Sequence, residues 1–169
     1  DKRTIFSQAV ERLAKEANAT VKTASGSPST AQKVGAASEV FAKLLLSGAE
    51  GVTTSEANED GLYPYIGSLV EDAKASHAVL STRMFKPGDK ADTHRPVHKI
   101  VAEYLAADYL TKRAANPTDA LTFEKLLPVI APNSIVRDEL RGLLGWMASL
   151  GNRRIQEAAI ALDPYAVLA

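Results

Sequence analysis

The side chains of this chain best suited to chemistry near neutral pH are its three histidines, His77, His94 and His98, since imidazole titrates in that range without help. His94-Arg95-Pro96-Val97-His98 has i, i+4 spacing, and Glu103 follows. On one continuous helix the two imidazoles would share a face and, with Glu103, could form a zinc site of hydrolase type. Pro96 works against this, because the residue before a proline is pushed out of helical geometry. His94 is therefore expected in a strand or loop, and His98 near the N-terminus of a following helix. A helix N-terminus attracts anions. A neutral imidazole there donates one N–H to a phosphate or to a backbone carbonyl. A half-buried, hydrogen-bonded structural histidine is the plainer role for His98. His77 reads as a helix C-terminal residue favoured by the dipole.

Other chemistries lack their residues. There is no cysteine, which removes disulfides, thiolate-held zinc, iron–sulfur clusters and a thiol nucleophile. Neither a Gly-x-x-x-x-Gly-Lys-Ser/Thr loop nor Gly-x-Gly-x-x-Gly nor Gly-x-Ser-x-Gly occurs, so no nucleotide-hydrolysing or acyl-transfer apparatus is expected. The 169 residues carry 20 Lys and Arg against 20 Asp and Glu. That balance argues against binding nucleic acid or an anionic membrane through the whole surface. Apolar runs such as Leu44-Leu45-Leu46 are far shorter than a membrane span, no signal peptide opens the chain, and a cytoplasmic location is expected. The chain opens at Asp1 rather than Met and stops shortly after Asp163-Pro164, which predicts a piece of a longer polypeptide.

The elements that must position these residues follow from periodicity. Residues 4–18 read as a helix burying Ile5, Ala9, Val10, Leu13 and Ala17, ended by Asn18. A loop at 19–29 leads to Ser29 and Gln32, a capping box. It opens a helix at 30–47 with Val34, Ala37, Phe41, Leu44 and Leu45 inward, stopped by Gly48. Residues 51–54 have strand character, and Ser55 is expected to cap a short acidic turn. A third helix is predicted at 62–75, with Pro64 in its first turn. Residues 78–85 read as a strand, Lys86-Pro87-Gly88-Asp89 as a type II turn, and 90–95 as the returning strand. A long helix follows from Pro96 to Arg113, ended by Asn116-Pro117. Helices at 119–127, 134–149 and 152–161 complete the chain, separated by Pro128, Pro132 and Gly151, with Trp146 in the core.

The expected fold is mainly α. A winged-helix-like domain with a small β-ribbon at 30–95 is preceded by a linking helix and loop at 1–29. A helical domain at 96–169 follows, continuing into a bundle or the start of a solenoid. In a DNA-binding winged helix the third helix enters the major groove. Here residues 55–77 carry Glu56, Glu59, Asp60, Glu71 and Asp72 against Lys74 alone, so phosphates would be repelled. The wing adds only Arg83, Lys86 and Lys90.

The stretch His98-Lys99-Ile100-Val101-Ala102-Glu103-Tyr104-Leu105-Ala106-Ala107-Asp108-Tyr109-Leu110 resembles the segment that follows the winged helix in NACHT-type STAND NTPases, His-x-x-x-x-Glu-Phe/Tyr-Leu-Ala-Ala-x-Tyr/Trp-Leu. Val79-Leu80-Ser81-Thr82-Arg83-Met84-Phe85 is similar to the strand before that family's hairpin. The segments 9–16, 139–148 and 163–168 resemble bacterial members. Ala102, where many relatives have Gln, and Lys99-Ile100, in place of a more polar pair, depart from the pattern. The resemblance implies a regulatory arm without catalytic activity, folded back on an upstream ATPase domain that binds ADP or ATP with Mg. His98 would contact the β-phosphate of ADP in the resting state, with His94 a second candidate. Glu103 and Tyr104 would be packing or helix-anchoring residues. ATP exchange would release the contact and permit homo-oligomerisation in signalling or antiphage defence. Two other readings stand beside this one: a helical protein-interaction module indifferent to nucleotide, and a winged-helix DNA binder.

Overall fold

A computed structural model of the chain describes residues 1–15 and 26–168. It is mainly helical with a small three-stranded antiparallel sheet, as expected. Helix α1 (Lys2–Lys15) carries Arg12 and Lys15 in its last turn, where cations suit the dipole. Its buried face is the expected one at Val10 and at Leu13, which packs against the core, but not at Ile5 or Ala9. Ile5 is 64% exposed and Ala9 is exposed, while Val10 and Ala14 are buried. The helix is rotated so that Phe6 meets Tyr104 and Trp146, with ring centroids at 5.6 and 4.7 Å. An aromatic ring buries more apolar surface than Ile5 would. Ala17, Asn18 and residues 19–25 of the expected loop lie outside the described residues.

Helix α2 (Thr30–Ser47) begins at the capping box. Ser29 Oγ accepts from the Gln32 N–H at 3.1 Å, and Gln32 Oε1 from the Ser29 N–H at 2.8 Å. Gly48 ends it with φ 78°. Strand β1 (Val52–Thr53) follows, fully buried. Ser55 precedes a 3₁₀ turn, Glu56–Asn58, without capping it. The single helix expected at 62–75 is two: α3 (Ile66–Leu69) and α4 (Ala73–Ala78). Pro64 precedes α3, and its carbonyl accepts from the Thr53 N–H. Val70 between the helices is extended because Asp72 caps α4, accepting from the N–H groups of Lys74 and Ala75 at 3.0 and 3.2 Å.

The strand expected at 78–85 is wrong over most of its length. Helix α4 runs on into a 3₁₀ turn, Val79–Ser81. The buried residues there are Ala75, Ser76, Val79 and Leu80, an i, i+4 pattern that belongs to a helix. Strand β2 is only Phe85–Pro87, and β3 is Thr93–Pro96. The expected type II turn at 86–89 is absent. The chain reverses through a longer loop in which Gly88 N–H bonds the Thr93 carbonyl at 2.8 Å and Asp92 takes the positive φ. Sheet order is β1-β3-β2, with Val52 opposite His94 and Phe85 opposite Pro96.

Pro96 therefore closes β3 rather than opening the long helix. Val97 stays with the sheet, donating its N–H to the Met84 carbonyl at 3.0 Å. Helix α5 (Lys99–Ala115) starts three residues late and ends at Asn116 as expected. Arg113 in its last turn holds Asp119 through two bonds, at 2.8 and 2.7 Å. That pairing, with the Leu121 N–H behind it, holds the Asp119 carboxyl down at about 2. Helix α6 (Phe123–Ile130) starts later than expected, at the Thr122 cap, and contains Pro128 instead of ending before it. The proline is exposed, two residues before the end of the helix, so only the last turn lacks its bond. Asn133 and Ser134 have positive φ, so the expected 134–149 helix begins only after a 3₁₀ turn at Asp138–Leu140, as α7 (Arg141–Leu150). Helices α8 (Arg153–Leu162) and α9 (Pro164–Leu168) close the chain.

One apolar cluster runs from Val10 to Ala159, with α5 packed between α2 and α7. Trp146 is 6% exposed, in the core as expected. The join between sheet and α5 depends on a close approach at residue 51. A Cβ on Gly51 would run into the backbone carbonyl of His94. Gly51→Ala is expected to cost roughly 1–3 kcal/mol, as overpacking against backbone does. Urea denaturation checks this, and an unchanged midpoint would contradict it.

Candidate functional site

His98 occupies the N-cap position of α5, with φ −129° and ψ 120°. Its carbonyl accepts the first helical bond, from the Ala102 N–H at 3.1 Å. Its imidazole caps nothing. It is exposed and has no hydrogen bond or ion pair among the described residues. The half-buried, hydrogen-bonded role is therefore not the one observed. Just below it, Val101 and Ala102 are buried and hold the helix end in place. The free N–H groups of a first turn carry partial positive charge. No side chain among the described residues caps them. Together with an imidazole donor, this suits a phosphate or another oxyanion.

His94 lies in β3, half-buried, one residue from the Arg95 network. Burial pushes its pKa down, while Asp92 nearby pulls it up. The two histidines do not share a helical face, as Pro96 implied. Among the described residues, no three His, Asp or Glu side chains are grouped as a metal would require, so His94, His98 and Glu103 do not form the zinc set. His77 stands in the last turn of α4, exposed, with Nδ1 3.1 Å from Ser76 Oγ.

Glu103 and Tyr104 are buried against α7. Tyr104 is 9% exposed, edge-on to Trp146 with centroids at 5.1 Å. Glu103 is 8% exposed. A Cβ on Gly142 of α7 would strike its carboxylate. Its ion pair is with Lys99, at 3.6 Å. Burial raises the Glu103 pKa above its ordinary 4.5, with Lys99 only partly opposing.

Sequence reading missed the polar network that pins β3. Arg95 Nε donates to Tyr63 Oη at 2.9 Å, and its Nη2 bonds Glu50. Tyr63 Oη also donates to Glu50 Oε2 at 3.2 Å, and Asp89 lies 3.5 Å from Arg95. Glu50 and Arg95 are 45 positions apart, so no local spacing signals them. The acidic stretch 55–77 is partly structural as well. Asp60 accepts from the N–H groups of Leu62 and Tyr63 at 2.9 and 2.8 Å and meets Lys90 at 3.4 Å.

No family model, curated protein or solved structure matches this chain. No helix among the described residues is long and apolar enough to cross a membrane.

The buried carboxylate yields a pH-dependent prediction. A carboxyl whose folded pKa is raised opposes folding above that pKa, and the penalty fades as pH falls toward the unfolded value. Glu103→Gln is expected to raise the urea midpoint at pH 7. The gain should shrink as pH falls through the range just above 4.5. A variant less stable than the parent chain at pH 7 would contradict this.

Proposed function

We propose that the chain is the regulatory winged-helix and helical arm of a STAND-type signalling or defence ATPase, and that His98 senses the nucleotide state. The arm performs no catalysis. It rests against its own upstream ATPase domain, where ADP or ATP binds with Mg, and release of the arm permits homo-oligomerisation.

The observation that carries this is the state of the α5 N-terminus. A 17-residue helix presents an exposed, unbonded imidazole and an uncapped first turn on the same end. These are donors without acceptors, and a diphosphate supplies the acceptors. A hydrogen bond to a charged group is worth about 1.5–3 kcal/mol. Losing one shifts a balanced equilibrium roughly ten- to a hundredfold. One contact is therefore enough to hold or release a domain. His94 suits the role less, because it is half-buried within β3.

A second reading is a helical interaction module without nucleotide dependence. It draws on Ile160, Tyr165 and Leu168, which are 50%, 76% and 82% exposed in α8 and α9.

The two readings separate in the parent protein expressed from its whole reading frame. His98→Ala is expected to weaken ADP retention about tenfold or more and to raise basal activity, while His94→Ala leaves both near the parent level. Unchanged ADP affinity with an unchanged oligomeric state in His98→Ala would defeat the sensor assignment.

A further inference from the structure

A cleft of about 370 Å³ lies where the wing meets α2 and the start of α5. Its floor is apolar, formed by Phe41, Leu44, Leu45 and Ala102, and its rim carries Lys86, Arg95 and Lys99 together with one carboxylate, Glu50, which is paired with Arg95. It is open rather than enclosed.

Two features of the rim oppose local stability. Lys86 on β2 stands directly opposite Arg95 on β3, and like charges in facing positions destabilise a strand pair. Lys99 is the first residue of α5, where the helix dipole disfavours a cation. Its pairing with Glu103 puts lysine N-terminal to glutamate, the weaker order. Glu50 and Asp89 neutralise Arg95. The Lys86 ammonium has no such partner among the described residues. Separate departures from favourable charge placement, on a sheet and on a helix, converge on one apolar cleft. Such convergence marks a site rather than a folding need.

We propose that this cleft docks a protein segment in which an acidic residue stands beside a large apolar side chain. The apolar side chain fills the space over Leu45 and Ala102, and the carboxylate takes Lys86 and Lys99. The open shape suits a segment laid along the surface, whereas a small-molecule pocket encloses most of its ligand. The proposal is independent of nucleotide sensing by His98.

The test uses the 169-residue chain and the peptide acetyl-Glu-Leu-Phe-Glu-amide, followed by amide chemical shifts. Saturable shifts are expected at Leu45, Lys86 and Lys99. The Gln-Leu-Phe-Gln counterpart should bind roughly tenfold more weakly, as loss of charge pairing implies. Lys86→Glu should weaken the acidic peptide at least as much while raising the melting midpoint, because it pairs Arg95 with an opposite charge. Lys99→Gln repeats the test from the helix side. Shifts of equal size with Lys-Leu-Phe-Lys, or none in the cleft at millimolar acidic peptide, would overturn the proposal. So would binding of octanoate there without binding of the peptide.

Discussion

The burial of α5 is the constraint on which the rest depends. Val101, Ala102, Tyr104, Leu105, Ala106, Ala107 and Leu110 are all buried along it. Helix α2 lies on one side and α7 on the other. A fully buried leucine contributes about 1.5–3 kcal/mol, and Leu105 and Leu110 are each 2% exposed. Phe6 from α1 and Trp146 from α7 close on Tyr104. A shift of α5 would disturb every one of these contacts. Its N-terminal end, with His98 and the rim lysine Lys99, therefore stays where the core places it.

The two ends of that helix are treated differently. At its C-terminal end, Arg113 and Asp119 form a two-bond clamp. At its N-terminal end no side chain caps the first turn. Ser29, Asp72, Thr122 and Asn152 satisfy the first turns of α2, α4, α6 and α8, whereas the short α3 is uncapped like α5. Helix α7 is entered through a 3₁₀ turn instead. An N-cap is worth about 1 kcal/mol, and α5 forgoes it while carrying a cation at its first position. That cation offsets part of the burial cost of Glu103, but it does not satisfy the open N–H groups. The proposed contact with an anion or an acidic group would satisfy them.

Much of the fold was legible, and the misreadings have identifiable causes. The capping box at Ser29, the stop at Gly48, the end of α5 at Asn116 and the burial of Trp146 rest on local chemistry, and each is found. Residues 78–85 misled because Val79, Thr82 and Phe85 favour strands, whereas burial of Ala75, Ser76, Val79 and Leu80 against the core imposed a helix. Pro96 suits a first helical turn but here ends β3, the central strand, past the residues that pair with β1, and pairing with Phe85 decided it. For α1 the choice between Ile5 and Phe6 depended on a partner, Trp146, far along the chain. The placement of His98 at the head of a helix follows from spacing and the proline. Its exposure does not, nor does the cleft beside it, because Lys86, Arg95, Lys99 and Leu45 meet only after folding.

In the proposed reading the α5 N-terminus holds a nucleotide phosphate in the parent protein. The direct measurement is to purify that protein from its whole reading frame, denature it and identify the nucleotide released. Roughly stoichiometric ADP is the result predicted for a resting state held through His98. No released nucleotide, with no ATP binding on titration, would contradict the account and leave His98 an exposed histidine without a ligand.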